Sequence, residues 1–362
     1  MDVLFANNEL KAKAFLEEIE GKNPLFIATI ATTETGKIPG LSAAGANPDF
    51  TDFTPPADAE LLLLGKCKSI QGVPITPDGI PTPALITTSA LHLADIPVII
   101  VNGGVKVKPQ IPYIDVNGSP GRDIRSGDSV DNVEEVIERA KVVGEQLAKT
   151  ADYLVIGESI PGGTTTALGV LTALGVDAMG KVSSTLPNNP HGLKAEVVSA
   201  GLKAAGEKFG SLKGDPIKAV SAVGDPMMAA LAGLVIGGTR QAPVLMAGGT
   251  QMTAVLAVIN ALEPKALCNA AIGTTRWVAK DKSSDICGIV KQFSEVPILA
   301  ADLDFGPSKY PGLQIYETGL VKEGVGAGGA SIAAMAKTGG AVDKHILLKE
   351  IERNYASLMQ AK

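Results

Sequence analysis

Two short stretches of the chain combine acidic, glycine and hydroxyl residues in spacings that could bind an anion. In the first, residues 155–166 read VIGESIPGGTTT, so an apolar run leads through a glycine turn to a helix start with free backbone N–H groups. Those groups and the helix dipole favour a bound phosphate, which Gly162 and Gly163 would let the backbone approach. Thr164 and Thr165 would add hydroxyl donors. Because the GKS or GKT ending of a Walker loop is missing, an ordinary turn with threonine caps is the alternative.

The second stretch, residues 321–331, reads VKEGVGAGGAS and places Glu323 just ahead of a glycine-rich helix start. Its glycines fit the GxGxxG spacing of dinucleotide-binding proteins, but no strand immediately precedes them and no second strand with a ribose-binding acid follows. We therefore reject an NAD-dependent oxidoreductase, and tight helix packing is the alternative interpretation of these glycines. Glu158 of the first stretch is by default a solvated carboxylate. Beside an anion-binding helix start it would be placed for acid–base chemistry or ribose contact.

Other kinds of catalytic site find little support. His92, His191 and His345 lie far apart and form neither an HxH nor an HExxH pattern, so we expect no metal. The three cysteines form no CxxC pair, which disfavours a zinc module or a disulfide framework and favours a reducing compartment. No GxSxG nucleophile motif is present, and we expect no cofactor.

The composition favours a cytoplasmic enzyme with a large apolar core. Of 362 residues, 45% are hydrophobic and only 4% aromatic, while 41 glycines punctuate the apolar segments as tight turns would. A net charge of −6 without a basic run disfavours nucleic acid as a partner. The start of the chain lacks signal-peptide character, and the longest apolar stretches are interrupted by glycine, so we expect no membrane association.

The elements that must position the two stretches alternate between strands and helices. The clearest helix spans residues 129–150, and it is followed directly by a strand at 153–156 and a helix at 164–174. This alternation predicts right-handed crossovers and a mainly parallel sheet flanked by helices in a Rossmann-like three-layer α/β fold. We assign residues 24–339 to this body and residues 1–23 and 340–362 to terminal helices that form a smaller part. Further strands are predicted at 25–30, 60–64, 96–101, 217–223, 242–247 and 296–299, and further helices at 9–20, 84–94, 193–209, 250–262, 332–337 and 342–358, with one more starting at Asp225-Pro226.

In their order along the chain, the two stretches resemble the nicotinate-nucleotide:dimethylbenzimidazole phosphoribosyltransferases. The first motif of that family runs roughly GEMGIGNTTA, where residues 157–167 here read GESIPGGTTTA, and the second runs roughly GEGTGAA, where residues 322–328 read KEGVGAG. Residues 192–198 are similar to the family's segment with a phosphate-binding lysine. The similarity covers roughly residues 130–340 and fades before residue 100, where the family's aspartate-histidine-glycine element is missing. Gly248 also replaces an aspartate of the family.

The resemblance implies transfer of a 5-phosphoribosyl group from nicotinate mononucleotide to dimethylbenzimidazole or a related small heterocyclic base. The product would be an α-ribotide for cobamide lower-ligand assembly, formed with inversion at the anomeric carbon. By the same resemblance, Glu323 is the general base and Glu158 a second carboxylate that orients the ribose or stabilises charge, and the protein is a homodimer. The alternative is a non-catalytic nucleotide- or phosphate-binding protein on the same scaffold. The residues expected to hold the phosphate and ribose are Gly162, Gly163, Thr164, Thr165, Gly180 and Lys194, the last as the cation.

Overall fold

A single eight-stranded sheet runs through the protein, whose computed structural model describes residues 1–42, 48–72, 74, 80–186 and 189–360. The strands lie in the order β1-β8-β7-β6-β5-β2-β3-β4, and every neighbouring pair is parallel except β1 with β8. This arrangement confirms the predicted mainly parallel α/β fold. The strands are β1 (Val3–Asn7), β2 (Pro24–Ala31), β3 (Val98–Gly104), β4 (Ile114–Asp115), β5 (Tyr153–Ser159), β6 (Val244–Ala247), β7 (Ala270–Thr275) and β8 (Ile298–Ala301).

Helices cover both faces of the sheet. Along β5, Leu154 and Ile156 point into one apolar core and Tyr153 and Val155 into the other, as the two-residue period of a strand requires. Because both faces are covered, β5 is apolar throughout its first half instead of alternating with polar residues. The helices are α1 (Glu9–Ile19), α2 (Thr54–Leu64), α3 (Ala84–Leu93), α4 (Val133–Ala148), α5 (Gly163–Ala173), α6 (His191–Ala204), α7 (Pro216–Val223), α8 (Pro226–Gly238), α9 (Gln251–Leu262), α10 (Arg276–Ala279), α11 (Ile286–Val290), α12 (Pro311–Gln314), α13 (Ala327–Lys337) and α14 (Lys344–Gln360).

Two predicted strands are helical. Residues 217–223 belong to α7, which starts at Pro216 and is capped by Asp215, whose side chain accepts a hydrogen bond from the backbone N–H of Lys218 at 3.0 Å. Residues 60–64 form the end of α2. Both predictions were wrong for the same reason: an apolar run of this length is too short for its spacing to distinguish a strand from a helix.

The N-terminal segment also contains a strand that the sequence did not predict. β1 pairs with β8 through a register that aligns Val3 with Ala301, and α1 follows it directly. Residues 1–23 therefore add an antiparallel edge strand to the sheet as well as a helix. The division into a body and a smaller terminal part stays a prediction. Among the described residues, none of the helices has the length and apolar character needed to cross a membrane.

Candidate active site

The first stretch of interest forms the turn between β5 and α5. Gly162 has a φ of 87°, which favours glycine, and a side chain there would begin 2.6 Å from the Cα atom of Gly36. This close approach brings the segment after β2 against the turn. Gly163 then opens α5, so the free N–H groups of its first turn face the carboxyl end of the parallel strands, where open α/β sheets bind ligands.

A cleft at that end of the sheet brings the two stretches together. It encloses about 980 Å³ of atom-free space, part of it open to solvent, which is within the usual range of small-molecule sites. Its wall includes the turn before α5, the residues that follow β6 and the loop that precedes α13. The lining residues on which the chemistry depends are Asp58, Glu158, Gly162, Gly163, Thr164, Ser183, Ser184, Thr250, Lys322 and Glu323.

Glu323 is held by the backbone at the start of α13. Its carboxylate accepts hydrogen bonds from the N–H groups of Gly324 at 3.1 Å and Gly328 at 3.2 Å. Burial raises the pKa of Glu323 to about 7, because the loss of water outweighs the backbone donors that favour the charged form. A fixed carboxyl group that titrates near neutrality is suited to general acid–base work.

Glu158 lies at the end of β5 and is 2% exposed. Burial raises its pKa well above the usual range, and the negative charges of Asp225 and Glu323 raise it further. Asp225 caps α8 behind it and accepts a hydrogen bond from the hydroxyl of Thr166. The two glutamates predicted from the sequence therefore share one cleft and influence each other electrostatically.

Lys194 stands behind the start of α5. Its Nζ donates to Thr164 Oγ1 at 2.8 Å and to the carbonyl oxygen of Ser183. Burial lowers the pKa of Lys194 to about 7, and the positive charge of Lys322 lowers it further. Lys194 is fully buried and is not among the described residues that line the cleft, so it reaches the cleft through the Thr164 hydroxyl.

Comparisons with known proteins fit this geometry. A family model described as phosphoribosyltransferase matches residues 90–283, more than half of the chain. A UPF0284 protein of Sulfolobus acidocaldarius is 49% identical over 95% of this chain and 99% of its own length. Another UPF0284 protein, from Methanothermobacter thermautotrophicus, is 48% identical over 89% of this chain and 90% of its own length. The chain belongs to this phosphoribosyltransferase family and to the UPF0284 proteins.

Two solved structures from Thermus thermophilus share the fold. One is a nicotinate-nucleotide–dimethylbenzimidazole phosphoribosyltransferase, with 16% identity, a TM-score of 0.55 and coverage of 97% of this chain and 91% of that one. The other, named CobT, has 18% identity, a TM-score of 0.56 and 91% coverage of both chains. The predicted resemblance is confirmed, and the low identities fit a divergent member of the phosphoribosyltransferase family.

Of the residues predicted for the site, five line the cleft: Glu158, Gly162, Gly163, Thr164 and Glu323. The other three, Lys194, Thr165 and Gly180, are not among the described lining residues. Thr165 is fully buried, and its hydroxyl has no hydrogen-bond partner among the described residues, while Gly180 lies in a turn with a φ of 72°. The roles of all these residues stay predictions.

Sequence reasoning missed two charged residues in the wall of the cleft. Asp58, on α2, accepts hydrogen bonds from Thr82 Oγ1 at 2.8 Å and Ser159 Oγ at 2.7 Å, and burial raises its pKa to about 7. Its sequence neighbourhood carries no motif, so only the fold reveals it. The second missed residue is Lys322, which directly precedes Glu323. Its position as a charged residue beside a glycine-rich helix start is a sequence signal that could have identified it.

The described residues hold no group of three or more histidine, cysteine, aspartate or glutamate side chains arranged to bind a metal ion. The buried groups of the cleft are instead carboxyls, hydroxyls, backbone N–H groups and lysines. Such a set can bind a phosphate at one end and can stabilise positive charge or accept a proton at the other.

Proposed function

We propose that the protein transfers the 5-phosphoribosyl group of nicotinate mononucleotide to a nitrogen of a small heterocyclic base, dimethylbenzimidazole or a related one. The observation that carries this proposal is that the glycine-rich start of α5 and the carboxyls of Glu158 and Glu323 line one cleft. A phosphate bound at α5 would place the attached ribose against the two carboxyls. Membership of the phosphoribosyltransferase family supports the reaction class.

The proposed step breaks one C–N bond and makes another at the anomeric carbon. The electron pair of the breaking bond goes to the ring nitrogen of nicotinate, which leaves as a pyridine. The lone pair of the acceptor nitrogen attacks the opposite face of the ribose, so the configuration inverts to α. The acceptor ring loses its N–H proton to Glu323, and Glu158 faces the positive charge that develops on the ribose.

The pKa of Glu323 supports its role as the base. At neutral pH, a carboxyl with a pKa of about 7 is partly ionised, and it binds a proton more strongly than an exposed glutamate does. Since the leaving group is a ring nitrogen instead of pyrophosphate, the step needs no metal. We further propose that the α-ribotide product serves cobamide lower-ligand assembly. A homodimer and a cytoplasmic location stay predictions.

The direct test is to incubate the protein with nicotinate mononucleotide and a panel of bases, and to follow both nicotinate and the α-ribotide by chromatography. We expect nicotinate release that depends on the base and matches the α-ribotide in amount. Release without a base would indicate hydrolysis. A folded protein that binds the nucleotide but turns over with none of the bases would contradict the proposal and favour the non-catalytic nucleotide-binding alternative.

A further inference from the structure

Lys322 is a buried lysine in the wall of the cleft, directly before Glu323. Its side chain is 4% exposed, and its Nζ lies 2.9 Å from the Oδ2 of Asp281, whose side chain is 7% exposed. It also donates to Asn189 Oδ1 at 3.5 Å.

A buried ion pair contributes little net stability, because removing both charges from water costs about as much as their attraction returns. Stability alone therefore gives no reason for a lysine at this position. An ammonium group has three N–H donors, and Asp281 and Asn189 engage two of those of Lys322. No described residue accepts from the third, which is directed to a ligand in the cleft that Lys322 lines.

Hydrogen bonds through Asn189 link the ammonium of Lys322 to the segment that Lys194 contacts. Asn189, which accepts its hydrogen bond, also accepts one from Ser184 Oγ at 2.6 Å. The preceding residue, Ser183, accepts from Lys194 through its carbonyl oxygen. Lys194 thus contacts the Ser183–Ser184 segment directly, and Lys322 contacts it through Asn189. The two lysines are close enough to each other for their charges to interact.

The two lysines differ in what they present to the cleft. Lys322 lines it, whereas Lys194 is covered by Thr164 and Ser183. Because Lys194 donates to Thr164 Oγ1, the hydroxyl of Thr164 is free to direct its own proton elsewhere.

We propose that Lys322 is the lysine that contacts the phosphate of the donor nucleotide, and that Lys194 is a positioning residue that orients the Thr164 hydroxyl toward the same phosphate. This inference deepens the proposed function and rests on it for the identity of the donor. A direct charge-assisted hydrogen bond from Lys322 would also connect the phosphate to Glu323, the next residue in the chain. Seating the phosphate would then help to place the general base.

The test compares the binding of nicotinate mononucleotide with that of nicotinate riboside, which lacks only the phosphate, by isothermal titration calorimetry without acceptor base. We expect Lys322→Met to weaken binding of the nucleotide by about 10- to 100-fold, the range of one charge-assisted hydrogen bond, and to leave riboside binding unchanged. The matched control is Lys280→Met, an exposed lysine next in the chain to Asp281, and it should change the binding of neither the nucleotide nor the riboside. Equal weakening of nucleotide and riboside would overturn the inference, since Lys322 would then serve the nicotinate carboxylate or the packing.

Two additions keep the result interpretable. Lys322→Met leaves Asp281 buried without its cation, so the double variant Lys322→Met/Asp281→Asn, which removes both charges, should fold and still show the phosphate-specific loss. Should the parent protein fail to bind nicotinate mononucleotide, the proposed donor is wrong, and ribose 5-phosphate replaces it as the probe. If the parent protein binds ribose 5-phosphate and the double variant does not, the phosphate contact is supported. Equal binding by the two proteins, or no binding by the parent protein, would overturn it.

The positioning role of Lys194 has its own readout. If Lys194 acts through Thr164, the variants Lys194→Met and Thr164→Val should each weaken nucleotide binding, and combining them should add little to the larger single effect. Additive losses would contradict the positioning role, because a lysine that contacts the phosphate directly would not need the hydroxyl.

Discussion

The carboxyls and the lysines of the site solve the problem of buried charge differently. Asp58, Glu158 and Glu323, the acidic group, pair with no lysine or arginine in the described part of the chain, and burial raises the pKa of each. In the basic group, Lys322 is paired with Asp281, whereas burial lowers the pKa of Lys194, which has only neutral partners. Without a ligand, burial thus shifts the acidic group and Lys194 toward their neutral forms.

This difference indicates what kind of ligand the cleft suits. A phosphate beside the basic group would favour the charged form of Lys194, and positive charge on a ribose or a pyridinium ring would favour ionised carboxyls in the acidic group. Nicotinate mononucleotide carries both features in one molecule, which supports the proposed donor. Variants of the two groups separate their roles.

The largest effect is expected from Glu323→Gln. The amide keeps the size of the side chain but cannot accept the proton of the attacking base, so kcat should fall by about 10²- to 10⁴-fold with little change in donor binding. Single-turnover release of nicotinate measures the rate, and calorimetry measures the binding. The control is Glu17→Gln on the exposed face of α1. Full activity in Glu323→Gln would remove the general-base assignment.

A smaller effect concerns Asp58 and the pH dependence of stability. Its pKa is about 7 in the folded protein against 3.8 for an unperturbed aspartate, so the unfolded chain ionises first as the pH rises. The contribution of Asp58 to stability is therefore highest below about pH 4 and falls by at most about 4 kcal/mol between pH 4 and 7. Asp58→Asn should flatten the decline in the free energy of unfolding over that window.

Urea unfolding at several pH values between 4 and 8 measures this slope. The absolute stability of Asp58→Asn also changes, because the amide nitrogen cannot accept one of the hydroxyl hydrogen bonds from Thr82 or Ser159. The slope is for that reason the informative quantity. Asp95→Asn, at an exposed position, is the control. An unchanged slope in Asp58→Asn would show that Asp58 ionises normally in the folded protein.

The smallest effect is expected in the pH profile of kcat/KM. Glu323 must be ionised to accept a proton, so the rate should rise about tenfold per pH unit below about pH 7. Lys194 must be protonated to support phosphate binding, so the rate should fall above about pH 7. Lys194→Met should flatten the alkaline limb and leave the acid limb. A profile that stays flat from pH 6 to 8 would contradict both assignments.

Local features of the candidate site were readable from the sequence, and distant contacts were not. The turn at 157–163 was predicted because glycine tolerates the positive φ that a tight turn needs, and glycines punctuate apolar segments where the chain turns. Residues 60–64 and 217–223 were assigned the wrong element, since apolar runs this short show no period that distinguishes a strand from a helix. Asp58 was missed for a related reason: its partners Thr82 and Ser159 lie 24 and 101 residues away in the chain.

The sequence by itself determined the α/β alternation, the glycine turn that opens α5 and the presence of a carboxylate at the glycine-rich start of α13. Only the tertiary structure decided that these features share one cleft, that Lys322 lines it and that Lys194 stands behind it. The physical reason is that helix starts and glycine turns depend on neighbouring residues. Burial, pKa and mutual orientation depend on which distant segments fill the space around a side chain.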